Sequence, residues 1–121
     1  VLSIFIQPAS ASAPVVIVPE WDRSNPETLI YYYADKYSVS RDVMYHIVEK
    51  ETAHTFDETI QSGYFNKGYN AREKSFGLAQ IHLPAHPSVS LEEAKDPHFA
   101  LNFLASNLSK GKCSMWTTCP L

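Results

Sequence analysis

Apolar residues recur every three to four positions in several stretches of this chain, and the residues flanking them mark helix ends. Leu29, Ile30, Tyr33 and Tyr37 follow Ser24-Asn25-Pro26-Glu27, which combines a cap residue, a Pro suited to a first turn and an early acid; a helix over about 26–37 is predicted. Ser40 is then placed to cap RDVMYHIVEKET, with Asp42 in the first turn where the helix dipole favours negative charge. Ser90-Leu91-Glu92-Glu93 is a capping-box pattern for a short helix. Asp96-Pro97 opens another, in which Phe99, Phe103, Leu104 and Leu108 share one stripe assigned to the core, and Gly111 closes it. Residues 53–74, AHTFDETIQSGYFNKGYNAREK, show no sustained period and read as a long loop with at most a turn of helix. With no strand hairpin, repeat or low-complexity tract in evidence, the predicted fold is mainly α.

The second helix carries the most informative residue. At about 100° per residue with Val43 at zero, Ile47, Met44 and Val48 define an apolar face centred at about 70°, and Glu51 falls at about 80°. Glu49 falls at about 240°, on the solvated side. A carboxyl group with apolar walls loses hydration of its charged form, so its pKa rises and it can hold a proton near neutrality. Glu51 is therefore a candidate general acid. The alternative is that it escapes to water as the helix ends, or pairs with a basic residue.

Composition narrows the partners. At 121 residues, 45% of them apolar, the chain fits one globular domain. Its net charge of −3, with the basic residues scattered, provides no stripe to neutralise a phosphate backbone, so nucleic acid is not an expected partner. The first residues differ from the rest: Val1 to Ile6 are almost wholly apolar, and Ala9-Ser10-Ala11 offers a small-x-small cleavage pattern. Residues 1–11 are read as a truncated export signal, residues 12–23 as a linker and residues 24–121 as the domain, with a buried N-terminal strand as the alternative for the apolar run. No other stretch approaches the ~20 apolar residues of a membrane span. Cys113 and Cys119 lack the CxxC spacing of redox and zinc motifs, and in an exported chain they read as a local disulfide. His82 and His86 are separated by Pro84, which opposes the helix that would put both on one metal, so no metal or other cofactor is expected.

Glu51-Thr52 at the end of an apolar helix, followed by Ser75-Phe76-Gly77-Leu78-Ala79-Gln80-Ile81, resembles the soluble lytic transglycosylase family. That family has a goose-type, lysozyme-like fold, a catalytic Glu followed by Ser, and a later Gly-Leu-x-Gln-Ile segment. The resemblance covers about residues 24–110 and includes the lead-in Tyr37-Ser38-Val39-Ser40. It implies that Glu51 is catalytic, with Thr52 in place of the Ser and with Ser75, Gly77 and Gln80 at the substrate cleft. Gly77 would let backbone approach a ligand or a neighbouring helix, Leu78 and Ile81 would anchor the segment, and Gln80 would offer its amide to a sugar. Ser75 would offer its hydroxyl or N–H there, or only cap the turn.

The implied reaction is cleavage of the MurNAc–GlcNAc bond of peptidoglycan, in which Glu51 protonates the leaving oxygen and then, as carboxylate, takes the proton of the 6-hydroxyl while a 1,6-anhydro ring closes. The 2-acetamido group can take the role of a second carboxylate. Asp57, Glu58 and Glu73 lie in the long loop, and nothing in their spacing marks one of them as a second inward acid. The family's later Ala-Tyr-Asn-x-Gly motif has no counterpart after residue 81: either Tyr64, Tyr69 or Trp116 fills that space, or the sequence is incomplete. The expectation is an exported, monomeric, periplasmic or wall-associated enzyme acting on glycan strands. A muramidase on the same fold and a catalytically silent wall-binding module are the alternatives.

Overall fold

Ser40 does cap a helix: its Oγ accepts the Val43 N–H at 3.2 Å and opens α2 (Arg41–Glu51), which packs against α1 (Glu27–Lys36). The computed structural model describes residues 17–121, so the export segment expected over residues 1–11 lies outside the described residues. Ser24 does not cap α1. Its hydroxyl bonds to the Asp22 carboxylate at 2.6 Å, and the cap position falls to Pro26, which has no side-chain cap bond. Ser90 and Glu93 form the reciprocal capping box of α3 (Leu91–Lys95), and Asp96 Oδ1 accepts the His98 N–H at 2.9 Å to open α4 (Pro97–Ser109). Gly111 follows α4 with φ 77, in the left-handed region that ends helices.

Leu29, Ile30, Met44, Ile47 and Val48 are sealed from solvent between the first two helices and α4. The buried face of α4 is Ala100, Leu101, Leu104 and Ala105, which leaves Phe99, Phe103 and Leu108 only partly buried at the edge of the core. The predicted stripe was thus correct for Leu104 and rotated for its neighbours. Small alanines sit where helix approaches helix, and the aromatic rings fill the margin. Part of the expected linker is docked: Trp21 packs on the core and Arg23 reaches Asp57 and Glu58.

The expectation of no hairpins is corrected. Two short antiparallel hairpins lie between α2 and α3: β1 (Phe65–Asn66) with β2 (Ala71–Arg72), and β3 (Ser75–Phe76) with β4 (Ile81–His82). Arms of two residues are too short to show the alternation that identifies strands. In the first turn Asn66 Oδ1 accepts the N–H groups of Gly68 and Tyr69, a local bond that closes the reversal in place of Gly-rich turn chemistry. The second turn is Gly77 to Gln80, and it carries Leu78 and Ala79 into the core. The described chain is mainly α, and no helix of it is long and apolar enough to cross a membrane.

Candidate active site

Met44, Ile47 and Val48 bury one face of α2, and Glu51, one turn further along that face, sits half-buried at its last residue. Its Oε2 accepts a hydrogen bond from the Thr118 hydroxyl at 2.5 Å. Burial pushes the carboxyl above the ordinary carboxylate range, the Thr118 hydroxyl offsets part of the rise, and the nearby charge of Glu73 adds to it. Glu49 faces the other way, with Oε2 3.4 Å from His54 Nδ1. The phase read along the helix therefore separates the two acids as the sequence indicates.

Thr118 arrives from the far end of the chain. Beyond Gly111, Trp116 is buried, donates its indole N–H to the Ala79 carbonyl at 2.7 Å and meets the Phe103 ring edge to face. Cys113 and Cys119 are joined in a disulfide that closes the loop on either side of Trp116. The segment is thus fastened at the core by Trp116 and at the disulfide by Cys119, and Thr118, between those two anchors, lies against Glu51.

Thr52 is not at a ligand surface. It is fully buried, its Oγ1 donates to the Val48 carbonyl at 2.8 Å and accepts the Phe56 N–H at 3.0 Å, and so it closes the helix and fixes the chain that doubles back from it. Ala53, His54 and Phe56 in that reversal all have left-handed φ. Such strain persists only where surrounding contacts hold it; here the Thr52 bonds and the packing of Phe56 on Tyr45 do so.

Ser75 is also almost fully buried, yet it touches the chemistry indirectly. Its hydroxyl donates to Glu73 Oε1 at 2.6 Å and lies 3.1 Å from His82 Nδ1. Glu73, Lys74 and His82 line a cleft of about 540 Å³ with Asn66 and Tyr69 of the first hairpin turn and Pro84 beyond the second. Of the three loop acids, Asp57 and Glu58 are engaged by Arg23 at 3.2 and 2.7 Å, whereas Glu73 enters the cleft. His86 stands on the Phe103 ring, well removed in role from His82.

Gly77 is required by its neighbour. It has φ 82, and a Cβ there would lie 1.8 Å from the Ala94 carbonyl oxygen of α3. The close approach is to a helix, one of the two options the sequence left open. Gln80 has its amide donor committed inside the protein: Nε2 donates to the carbonyls of Gly77 at 2.9 Å and Ile60 at 3.1 Å, while its backbone is left-handed at φ 46. Only Oε1 remains for another partner. The GLAQ turn is thus a self-bonded structural unit behind the cleft.

No protein-family model, curated protein or solved structure matches the chain.

The site that the geometry assembles is accordingly Glu51 with Thr118, within range of the charge of Glu73, which in turn is bonded to Ser75 and through it to His82. Thr118 and His82 were not singled out for it from the sequence. Thr118 stands 67 residues from its partner and belongs to no motif. Glu73 and Ser75, by contrast, are two apart on an extended segment and so share one side of it, a signal that recognition of β3 would have exposed.

Proposed function

We propose that this chain is an exported peptidoglycan lytic transglycosylase with a lysozyme-like, soluble lytic transglycosylase type domain. The observation that carries the reading is a half-buried Glu51 whose pKa is raised by burial, on the apolar face of α2 and upstream of Gly77-Leu78-Ala79-Gln80-Ile81. A carboxyl group that burial makes slower to give up its proton can act first as an acid and, once ionised, as a base. As acid, Glu51 protonates the glycosidic oxygen and the bond to the MurNAc anomeric carbon breaks. As carboxylate, it accepts the proton of the 6-hydroxyl as that oxygen closes on the same carbon. The disulfide is in keeping with an oxidising compartment.

A muramidase is the second reading, and Glu73 favours it. A second carboxylate whose charge is felt at Glu51, bonded to Ser75, is the kind of group that orients a water or shields an oxocarbenium centre. Mass spectrometry of products from purified wall material separates the two: anhydro ends for the transglycosylase, reducing ends for the hydrolase. Glu51→Gln should abolish both, since the amide keeps the shape and neither donates nor accepts the proton, while Glu49→Gln should leave turnover nearly unchanged. Full activity in Glu51→Gln would sink either reading.

A further inference from the structure

The nine residues Tyr64 to Arg72 expose more aromatic surface than a hairpin of this size requires. Tyr69 is 84% exposed, Tyr64 61% and Phe65 48%. Burying such side chains would stabilise a fold by about 1.5–3 kcal/mol each, so an aromatic cluster left in water points to a ligand. The hairpin is firmly pinned. Asn66 closes its turn, the Arg72 guanidinium donates to the carbonyls of Gln61 and Ser62, and the Glu73 N–H donates to the Tyr64 carbonyl at 2.8 Å. Tyr69 is therefore presented by a braced turn at the mouth of the cleft it shares with Asn66, Glu73, Lys74, His82 and Pro84.

The lining has the chemistry of an amino-sugar site. An aromatic ring offers a face for the C–H side of a pyranose, and Asn66, Glu73 and His82 offer donors and acceptors for hydroxyl and acetamido groups. Two cations line the cleft: Arg72, whose guanidinium is engaged by the Gln61 and Ser62 carbonyls, and Lys74. The Lys74 side chain makes no ion pair or hydrogen bond among the described residues, while the carboxylate beside it, Glu73, is bonded by Ser75. A carboxylate carried by a bound strand would find a charge partner in that exposed ammonium, which a neutral sugar polymer would not use.

We propose that this cleft is a glycan subsite selective for acidic strands, in which Tyr69 stacks on a sugar ring and Lys74 pairs with a carboxylate carried by the strand. The glycan identity of the ligand rests on the reading of Glu51 given above. The carboxylate belongs either to the lactyl group of a muramyl residue or to its peptide stem, and both present the same chemistry to Lys74.

The test measures binding with the full chain carrying Glu51→Gln, so that no turnover is needed. Three probes are used: neutral chitin oligosaccharides, glycan strands stripped of peptide, and strands with peptide attached. Tyr69→Ala should weaken binding to the strands about tenfold, and Lys74→Gln should weaken it several-fold at low salt, with the difference fading as salt screens the pair. Lys74→Gln should not alter the weaker binding of chitin oligosaccharides. A lysine effect on stripped strands assigns the carboxylate to the lactyl group, and one confined to peptide-bearing strands assigns it to the stem. Both side chains are exposed, so unchanged melting temperatures certify the fold of the variants. The proposal is overturned if neither substitution changes strand binding, or if chitin oligosaccharides bind as tightly as acidic strands. Cleavage by the parent chain together with unaltered binding by both variants would remove this subsite and leave the enzyme reading intact. Strand binding lost in both variants, with no product from the parent chain, would leave the subsite and remove the enzyme reading.

Discussion

Gln80→Ala distinguishes a substrate-facing amide from a structural one. The substitution removes two hydrogen bonds, from Nε2 to the carbonyls of Gly77 and Ile60. At about 0.5–1.5 kcal/mol each, the loss is about 1–3 kcal/mol. The lower half of that range is the better figure, because each carbonyl keeps a second donor: the Gly77 N–H on Ile60 at 2.8 Å, and the Gln80 N–H on Gly77 at 3.1 Å. For a domain of this size, about 1–2 kcal/mol lowers the melting temperature by roughly 4–10 °C. Gln80→Gly deletes the same bonds but relieves a left-handed backbone at φ 46, an effect of about 1 kcal/mol, so it should melt above the Ala variant. The assay is a thermal melt of the three chains beside their wall-clearing rates at a temperature where all are folded. If Gln80→Ala melts with the parent chain while clearing falls about tenfold or more, the amide serves the ligand and the structural account of the GLAQ turn is refuted.

Gly77→Ala should be more damaging: a Cβ 1.8 Å from the Ala94 oxygen and a left-handed φ together cost about 2–5 kcal/mol, read as a fall in urea midpoint, and a midpoint equal to the parent's would show that α3 does not crowd the turn. Thr118→Val removes the hydrogen bond that lowers the Glu51 pKa, so the basic limb of the pH profile of kcat/KM should move to higher pH; a downward shift would mean that Thr118 does not act on Glu51. Glu51→Gln should alter the pH dependence of stability. The folded pKa is raised, so the folded state binds more protons than the unfolded one between the ordinary carboxyl value and the raised one. Stability of the parent chain falls as pH rises through that window, and the Gln variant, lacking this slope, should gain relative stability at neutral pH in melts compared across pH.

Local signals carried the helices and long-range signals did not carry the site. Ser40, Ser90 and Asp96 cap within three residues of themselves, so the caps were readable from the chain alone, and the phase of α2 set Glu51 apart from Glu49. Ser24 misled because Asp22, two residues before it, takes its hydroxyl. Thr52 suggested a ligand contact by its position after Glu51. Its burial is decided by a reversal through Ala53, His54 and Phe56, left-handed positions that no glycine marks in the sequence. Gln80 hid its role in the same way, since an amide bonded to the backbone of its own turn and to the Ile60 carbonyl twenty residues upstream looks, in one dimension, like an amide free to face a sugar. The hairpins escaped notice because their arms are two residues long, and with them went the chance to pair Glu73 with Ser75.

The reversal after α2 also has an electrostatic effect. By ending the helix at Glu51 it leaves that carboxyl at a helix C-terminus, where the negative end of the helix dipole disfavours negative charge. Burial acts in the same direction, and so does Glu73, which Ser75 holds beside the cleft. Among the described residues, the Thr118 hydroxyl is the one influence that favours the anion. Three influences therefore retain the proton on Glu51 and one eases its departure, opposing effects that the proposed transglycosylase reaction would draw on in one group that first gives a proton to a leaving oxygen and then takes one from a hydroxyl. The easing influence is the one delivered by the segment that Trp116 and the disulfide fasten, so the rigidity of residues 113–119 bears directly on how readily the acid becomes a base.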